Sequence, residues 1–539
     1  MWSKNSFQQM SLNDSVFNMP KYLQKTLYES WAQPFQDVIF PAINENRFSV
    51  LYSDKPSRPN SPVNVIIGAL ILKEVFQLSD EELIGSIYFD TRFQYALRLT
   101  SEDRPPVSIN SFTNFRVRNY DYYEQTGIDL IQEEIEDLSK LIADVLEIKG
   151  DKVRVDSLMI ASSCRNLSRI ELVYTVNTHF IKKLDKIDKA LIPEECLVYL
   201  EKGHKNETIY KTRDKSSESK LEFLLKQSKL LYDAALEVNS KITDTEEFMM
   251  LKRMLGEQTK NDDDDFDNLT PNEIEPKENS EISPDSLQNP SDPDATYRYK
   301  YGDNIGYTAN LVEQFDDENG IIKTYDLKPN IYSDQQFSND TIEKLSVEQN
   351  QNEILQMLID GTYFSIDLAK KALSKGIELI PGELTGRKPD DSKLSYGSTF
   401  IVDKKENVIS SCFKGHEPVS TNYDEEKEIY TAKFSKDICA ECECIELCRI
   451  KVQKQINTVR FSKKRYMSDT IREKMDTKEY TQLANQRAGV EGLPSVFRRC
   501  YNVDRMPIRG LVRSKIWFGF KVAASNVKKL FKRHKTVPA

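Results

Sequence analysis

Long apolar runs are missing from this chain of 539 residues. The most apolar early stretch, Val65 to Leu72, is ended by Lys73 and Glu74, far short of the roughly 20 residues a membrane helix needs. The opening "MWSKNSFQQMSLNDSV" has no apolar core of the kind a secretory signal carries. Membrane-spanning and secreted proteins are therefore set aside, and a cytoplasmic location is expected. Disulfides are set aside with them, because the 8 cysteines of a chain in a reducing compartment are better read as thiols or metal ligands. Positive charge is scarce as well, but only over part of the chain. The formal charge is −10, yet residues 449–539 hold 23 Lys and Arg against 6 Asp and Glu, which leaves −27 for residues 1–448.

What is present is a globular composition, 39% hydrophobic and 10% aromatic, long enough for about three to five packed units. The basic C-terminal sixth contains "RFSKKR" (460–465) and "KKLFKRHK" (528–535), interleaved with Trp517, Phe518, Phe520 and Phe531. Excess positive charge spread over ninety residues points to nucleic acid, with Lys528, Lys529, Lys532 and Arg533 as candidate phosphate contacts. Residues 1–125 read as helices. Ser61-Pro62 is a helix start, Ser79 and Glu82 form a capping box, and a helix beginning near Ser108 or Ser111 carries "FTNFRVRNY". That pattern suits a DNA-binding module and a plain bundle about equally. Residues 163–260 are helical again. Residues 261–294 hold twelve Asp or Glu and five Pro and read as an acidic disordered linker.

One short stretch raises a chemical question. "KVRVDSLMI" (152–160) reads as a buried strand, in which Asp156 is costly unless it is paired. Two strands joined by "FDDENG" follow the linker, then a helix, the strand "ILQMLI" ending at Asp360, a helix capped by Ser365 and stopped at Gly376, and the strand "IELIP". The series is β-β-β-α-β-α-β, with the helical block and linker inserted after the first strand. In such α/β sheets ligands sit at the carboxyl ends of strands, where Asp156 and Asp360 can meet. Carboxylates that meet repel unless a proton or a cation lies between them, and all-oxygen ligands suit Mg²⁺ or Mn²⁺. A third acid comes from "QRAGVEGLPSVFRR", where Arg487, Glu491 and Arg498 fall at i, i+4 and i+11, one face if the segment is helical.

Late in the chain, Cys439, Cys442, Cys444 and Cys448 cluster, with Cys412 and His416 upstream. Cys412, Cys439, Cys442 and Cys448 offer a tetrahedral thiolate set for structural Zn²⁺, with Cys444 as a competitor.

The segments "SRPNSPVNVIIGALILKEVFQLSDEELIGSIYFDTRFQYAL", "VDSLMIASS", "DGTYFSIDLAKKALSKGIELIPGELTGR" and "QRAGVEGLPSVFRR" together resemble the DDE transposases of bacterial insertion sequences. The resemblance implies an α/β catalytic core of ribonuclease H-like type, an N-terminal all-α domain, a helical insertion and a cysteine-rich insertion. By the same resemblance Asp156, Asp360 and Glu491 are the acidic triad holding Mg²⁺, with Arg487, Arg498 and Arg499 near the DNA backbone. It also implies double-stranded DNA as partner, both element ends and target, and at least a homodimer when two ends are paired. The sequence departs from the family pattern in two places: Ala484 stands where a Tyr is usual and Arg498 where a Lys is usual, and Asp360 is followed by Gly361-Thr362-Tyr363 where x-Gly-Tyr is usual. The expected division is 1–125 helical, 126–162 lead-in helix and first strand, 163–260 insertion, 261–294 linker, 295–390 remaining core, 391–470 cysteine-rich and 471–539 the Glu helix with a basic tail. Two other readings compete, a related nuclease that cuts without joining and a non-catalytic DNA-binding protein.

Overall fold

The computed structural model describes all residues except 6–13, 54, 57–58, 102–106, 212–216, 239, 261–267, 301, 349–353, 386–391, 404–405 and 537–539. Its centre is a mixed sheet of β1 (Lys152–Ala161), β2 (Thr296–Tyr299), β3 (Asp303–Phe315), β4 (Gly320–Pro329), β5 (Leu355–Ile359) and β6 (Ile377–Pro381). The order is β2-β3-β1-β5-β6, with β4 also paired to β3. β1 runs antiparallel to β3, with Asp156 opposite Leu311, and parallel to β5, with Arg154 opposite Leu358. β6 continues parallel to β5.

Period-two alternation on β1 explains how both faces are covered. Val153 and Val155 point into a core with Met357, Phe337, Ile342 and Leu345, roofed by the helices Asp334–Glu348 and Ile366–Ser374. Leu158 and Ile160 point the other way, into the largest core. That core runs without a break from the sheet through the helices Leu130–Val145 and Leu511–Thr536 to Val63–Phe76 and Ile109–Thr126. The helix Asp80–Phe89 starts as its sequence dictates: Ser79 Oγ accepts from Glu82 N at 3.1 Å and Glu82 Oε2 accepts from Ser79 N at 2.7 Å.

Two expectations are corrected. The basic C-terminal segment is no tail. Leu511–Thr536 is a helix whose Phe518, Val522, Ala524 and Val527 are buried, and Lys521 is buried against Glu74 at 2.7 Å. Its lysines are interleaved with apolar residues at helical spacing, so half of the "basic block" faces the core. The acidic segment is not a free spacer either. Residues 261–267 lie outside the described residues, but 268–294 is ordered. Glu273 caps a 3₁₀ turn at Thr270, Ile274 and Leu287 insert into a core, and fully buried Asp292 accepts from Ser162 Oγ, Tyr307 OH and Gly510 N. A carboxylate with three donors is no longer the solvated charge that composition counts.

The insertion after β1 has its own core, built from Phe180, Leu224, Leu225, Tyr232 and Met254. Farther on, β7 (Phe400–Asp403) and β8 (Val408–Cys412) form a hairpin, and β9 (Ser420–Asp424), β10 (Ile429–Ser435) and β11 (Ile456–Ser462) form an antiparallel sheet in the order β11-β10-β9.

Candidate active site

The parallel pairing of β1 with β5, continued two residues past Arg154 and Leu358, sets Asp156 beside Asp360 on the same face of the sheet. Asp360 follows directly after β5, where its carboxylate accepts from Gly361 N at 2.8 Å and from Thr362 Oγ1 at 3.2 Å. Asp156 Oδ1 accepts from Ser157 N at 2.9 Å. Burial pushes the Asp156 carboxyl above its ordinary range and Asp360 adds to the rise, while Ser157 N, Arg487 and Lys300 oppose it. The two carboxylates therefore feel each other through a partly desolvated space. Beneath them Tyr363 is fully buried and donates to Asn310 Oδ1 at 3.0 Å.

Glu491 lies on a broken helix. The segment, whose Gly489, Gly492 and Pro494 already make an unbroken helix imperfect, is Lys478–Ala488, a 3₁₀ turn Gly489–Glu491 and a second helix Gly492–Tyr501. At the break only glycine leaves room for Arg154: a Cβ on Gly489 would lie 2.1 Å from Arg154 Nη1. Arg154, two residues before Asp156 and on its face, donates to Gln486 O at 2.7 Å and to Glu313 at 2.7 Å, and stacks over Phe315. Tyr480 ties the first helix to the end of β6 by donating to Pro381 O at 2.6 Å. Arg487 is then held between the Gly382 loop, the neighbourhood of Asp156, and Glu491, to which its Nη1 donates at 2.7 Å. Glu491 itself is 59% exposed. Arg154 and Lys300 were not singled out from sequence; the i, i+2 relation of Arg154 to Asp156 was the available signal.

The remaining candidate cations are dispersed. Arg498 pairs with Asp504 at 3.4 Å and Arg499 is exposed on the same helix. Lys528 lies over the Tyr501 ring at 4.8 Å, and Lys529 is bound to Glu313 at 3.0 Å. Lys532 and Arg533 line a cleft of about 1100 Å³ with Lys149, Lys152 and Arg154, at the start of β1.

The cysteines divide. Burial raises the thiols of Cys439 and Cys448, and the neighbouring thiols of Cys412 and Cys442 add to it. Cys444 is not among the groups acting on them. His416 meets the cluster through its backbone, its carbonyl accepting from Cys412 N at 2.9 Å. Among the described residues no three His, Cys, Asp or Glu side chains form a ready metal-binding group, here or at the carboxylates.

Two family models match the chain: "Transposase DDE domain" over residues 411–531 and "Transposase domain (DUF772)" over residues 30–118. Both matched models describe transposase domains. More narrowly, one match at each end supports an insertion-sequence DDE transposase. The first match contains Arg487, Glu491 and the cysteines but neither Asp156 nor Asp360, which rest on the geometry above. No curated protein and no solved structure matches the chain. No helix among the described residues is long and apolar enough to cross a membrane.

Proposed function

We propose that the chain is the enzyme that cuts DNA at its element's ends and joins the freed 3′ ends to target DNA. The observation that carries this is that Asp156 on β1 and Asp360 at the end of the adjacent parallel β5 lie side by side, with Arg487 close enough to act on Asp156 while it donates to Glu491. The order β4-β3-β1-β5-β6, antiparallel on one side of β1 and parallel on the other, supports a ribonuclease H-like core.

The donors suit Mg²⁺ or Mn²⁺, since all are carboxylate oxygens and burial leaves Asp156 in want of a cation. Asp156 and Asp360 would hold the ions, and Glu491 would complete the set on release from Arg487. Bound there, divalent ions would lower the pKa of the attacking water and offset charge on the leaving 3′-oxygen. The chain's own groups prepare this. Ser157 N, Gly361 N and Thr362 Oγ1 orient the carboxylates, buried Tyr363 closes the floor to water, and Arg487 and Lys300 supply positive charge for a scissile phosphate. Pairing two ends would take at least two copies.

The same logic extends to the thiols. We assign Cys412, Cys439, Cys442 and Cys448 as the set for one structural Zn²⁺, supported by the proximity that lets Cys412 and Cys442 act on the thiols of both Cys439 and Cys448.

The test is a strand-transfer assay using the DNA that flanks the reading frame. Wild-type protein should cut and join with Mg²⁺ or Mn²⁺, whereas Asp156→Asn should bind the same DNA and do neither. Cutting without joining would leave a nuclease, and binding alone a DNA-binding protein.

A further inference from the structure

The three-stranded sheet of β9, β10 and β11 has one buried face and one on which Ser420, Asn422, Lys433 and Arg460 are exposed among the described residues. Tyr430, Ala432, Phe434, Val459 and Phe461 point inward. Residues directly opposite each other in an antiparallel pair share a face, so the register fixes what the other side presents. One row across it is Ser420, Lys433, Thr458 and Lys451, the last joined to β11 by an isolated bridge. The next is Asn422, Thr431 and Arg460.

Lys433, Lys451 and Arg460 are exposed, and no ion pair engages any of them among the described residues. This separates them from the C-terminal helix, whose Lys521 and Lys529 already have carboxylate partners. The only acid in the rows on this face, Asp424, stands at the β9 edge, where its Oδ1 accepts from Lys427 N. Between the cations lie hydroxyl and amide groups: Ser420, Asn422, Thr431 and Thr458. Lys433 and Arg460 are diagonal neighbours, about 7–8 Å apart at the strand, and Lys451 lies two strand spacings from Lys433, about 10 Å. A flat array of unpaired cations interspersed with neutral donors matches the chemistry of a nucleic-acid backbone, which is bound by Lys and Arg together with Ser, Thr and Asn.

We infer that the outer face of β9–β11 is a docking surface for the phosphate backbone of duplex DNA, with Lys433, Lys451 and Arg460 each neutralising a phosphate. The inference rests on the DNA-processing reading above and adds a surface outside the carboxylate site. It reads backbone only, since no side chain here is placed to enter a groove from a flat sheet, so the affinity it adds is independent of sequence.

The experiment measures binding of the full chain to a labelled duplex of arbitrary sequence by fluorescence anisotropy across a salt series. Neutralising three phosphate contacts with Lys433→Gln, Lys451→Gln and Arg460→Gln should weaken binding and make the slope of log K against log salt shallower by about 2.7, at about 0.9 per contact. Lys433→Arg, Lys451→Arg and Arg460→Lys should keep the wild-type slope. Lys182→Gln, Lys186→Gln and Lys189→Gln on the helical insertion, equal in charge change, should also keep it. A wild-type slope in the first variant, or an equal loss in the insertion variant, overturns the inference. Thermal melting at wild-type temperature for the first variant excludes unfolding as the cause, and single variants each lowering the slope by about 0.9 decide the matter if the triple variant melts early. Wild-type protein that binds no duplex at all overturns the DNA-processing reading itself.

Discussion

Charge is gathered in two opposite ways in this molecule. At the carboxyl ends of β1 and β5, like meets like: burial raises the Asp156 carboxyl above its ordinary range and the charge of Asp360 adds to the rise. Among the helices opposites meet: Glu74 with Lys521 across the N- and C-terminal helices, and Glu134 with Arg47 and Asp80 with Arg116 within the N-terminal helices. The second arrangement holds elements together and needs nothing more. The first works against folding and makes sense only if something else arrives. Where like charges are brought together at a cost, chemistry is the better explanation; where opposite charges are brought together, architecture is.

The comparison can be broken most sharply at the two aspartates. Asp156→Asn or Asp360→Asn should lower DNA cleavage by about three orders of magnitude or more, some 4 kcal/mol of barrier, without lowering thermal stability. The sign follows from the raised Asp156: its folded state holds the proton more tightly than the unfolded one, so wild-type stability falls as pH rises from the ordinary carboxylate range through the raised value. The asparagine variant should lose that fall, which a series of melts across pH would reveal. A variant that melts well below wild type at neutral pH would place Asp156 among the structural pairs.

Lys521→Ala should do the reverse. It leaves Glu74 buried alone, at a cost of about 3–5 kcal/mol in urea unfolding, and replacing both with apolar residues should recover most of it. Equal loss in the single and double variants would show that packing, not the pair, carries the stability.

The thiols are a second gathering of like groups, so the same rule expects a cation there. Purified protein should carry about one zinc per chain, and Cys442→Ser with Cys448→Ser should release it and speed hydrogen exchange across residues 408–462. Metal-free protein prepared without chelator would confine the rule to the carboxylates.

The smallest effect belongs to Asp80. Its pairing with Arg116 holds the carboxyl down to about 2. Its contribution is present above the unfolded carboxylate range and is lost as pH falls from about 4 towards 2. Asp80→Asn should therefore cost about 1 kcal/mol at pH 7, allowing for screening at this partly exposed site, with the difference from wild type closing in acid.

How far the sequence disclosed these arrangements depended on range. The capping box at Ser79, the N-cap at Ser365 and the stop at Gly376 depend on neighbours a few residues away, and all three stand in the structure. The strand series was legible because alternation and turn residues are local as well. The pairing of Lys521 with Glu74 was not, because its partner is more than four hundred positions distant. Nor was the close approach of Arg154 to Gly489, which comes from another strand. Composition misled over residues 268–294 for a related reason: it weighs charges without knowing which donors will reach them.

The insertion within the central sheet has a bearing on the order of assembly. Ala161 and Gly306 are register partners, yet the whole helical block separates them along the chain. Closing so long an unstructured loop is entropically unfavourable and slow. A helical block with a core of its own can form first and bring the two ends within reach, after which Asp292 fastens Ser162 to Tyr307. The strand carrying Asp156 would then be among the last parts to gain protection during refolding. Pulsed hydrogen exchange that shows β3 protected before the helices Arg169–Ile187 and Glu246–Gln258 would contradict that sequence of events.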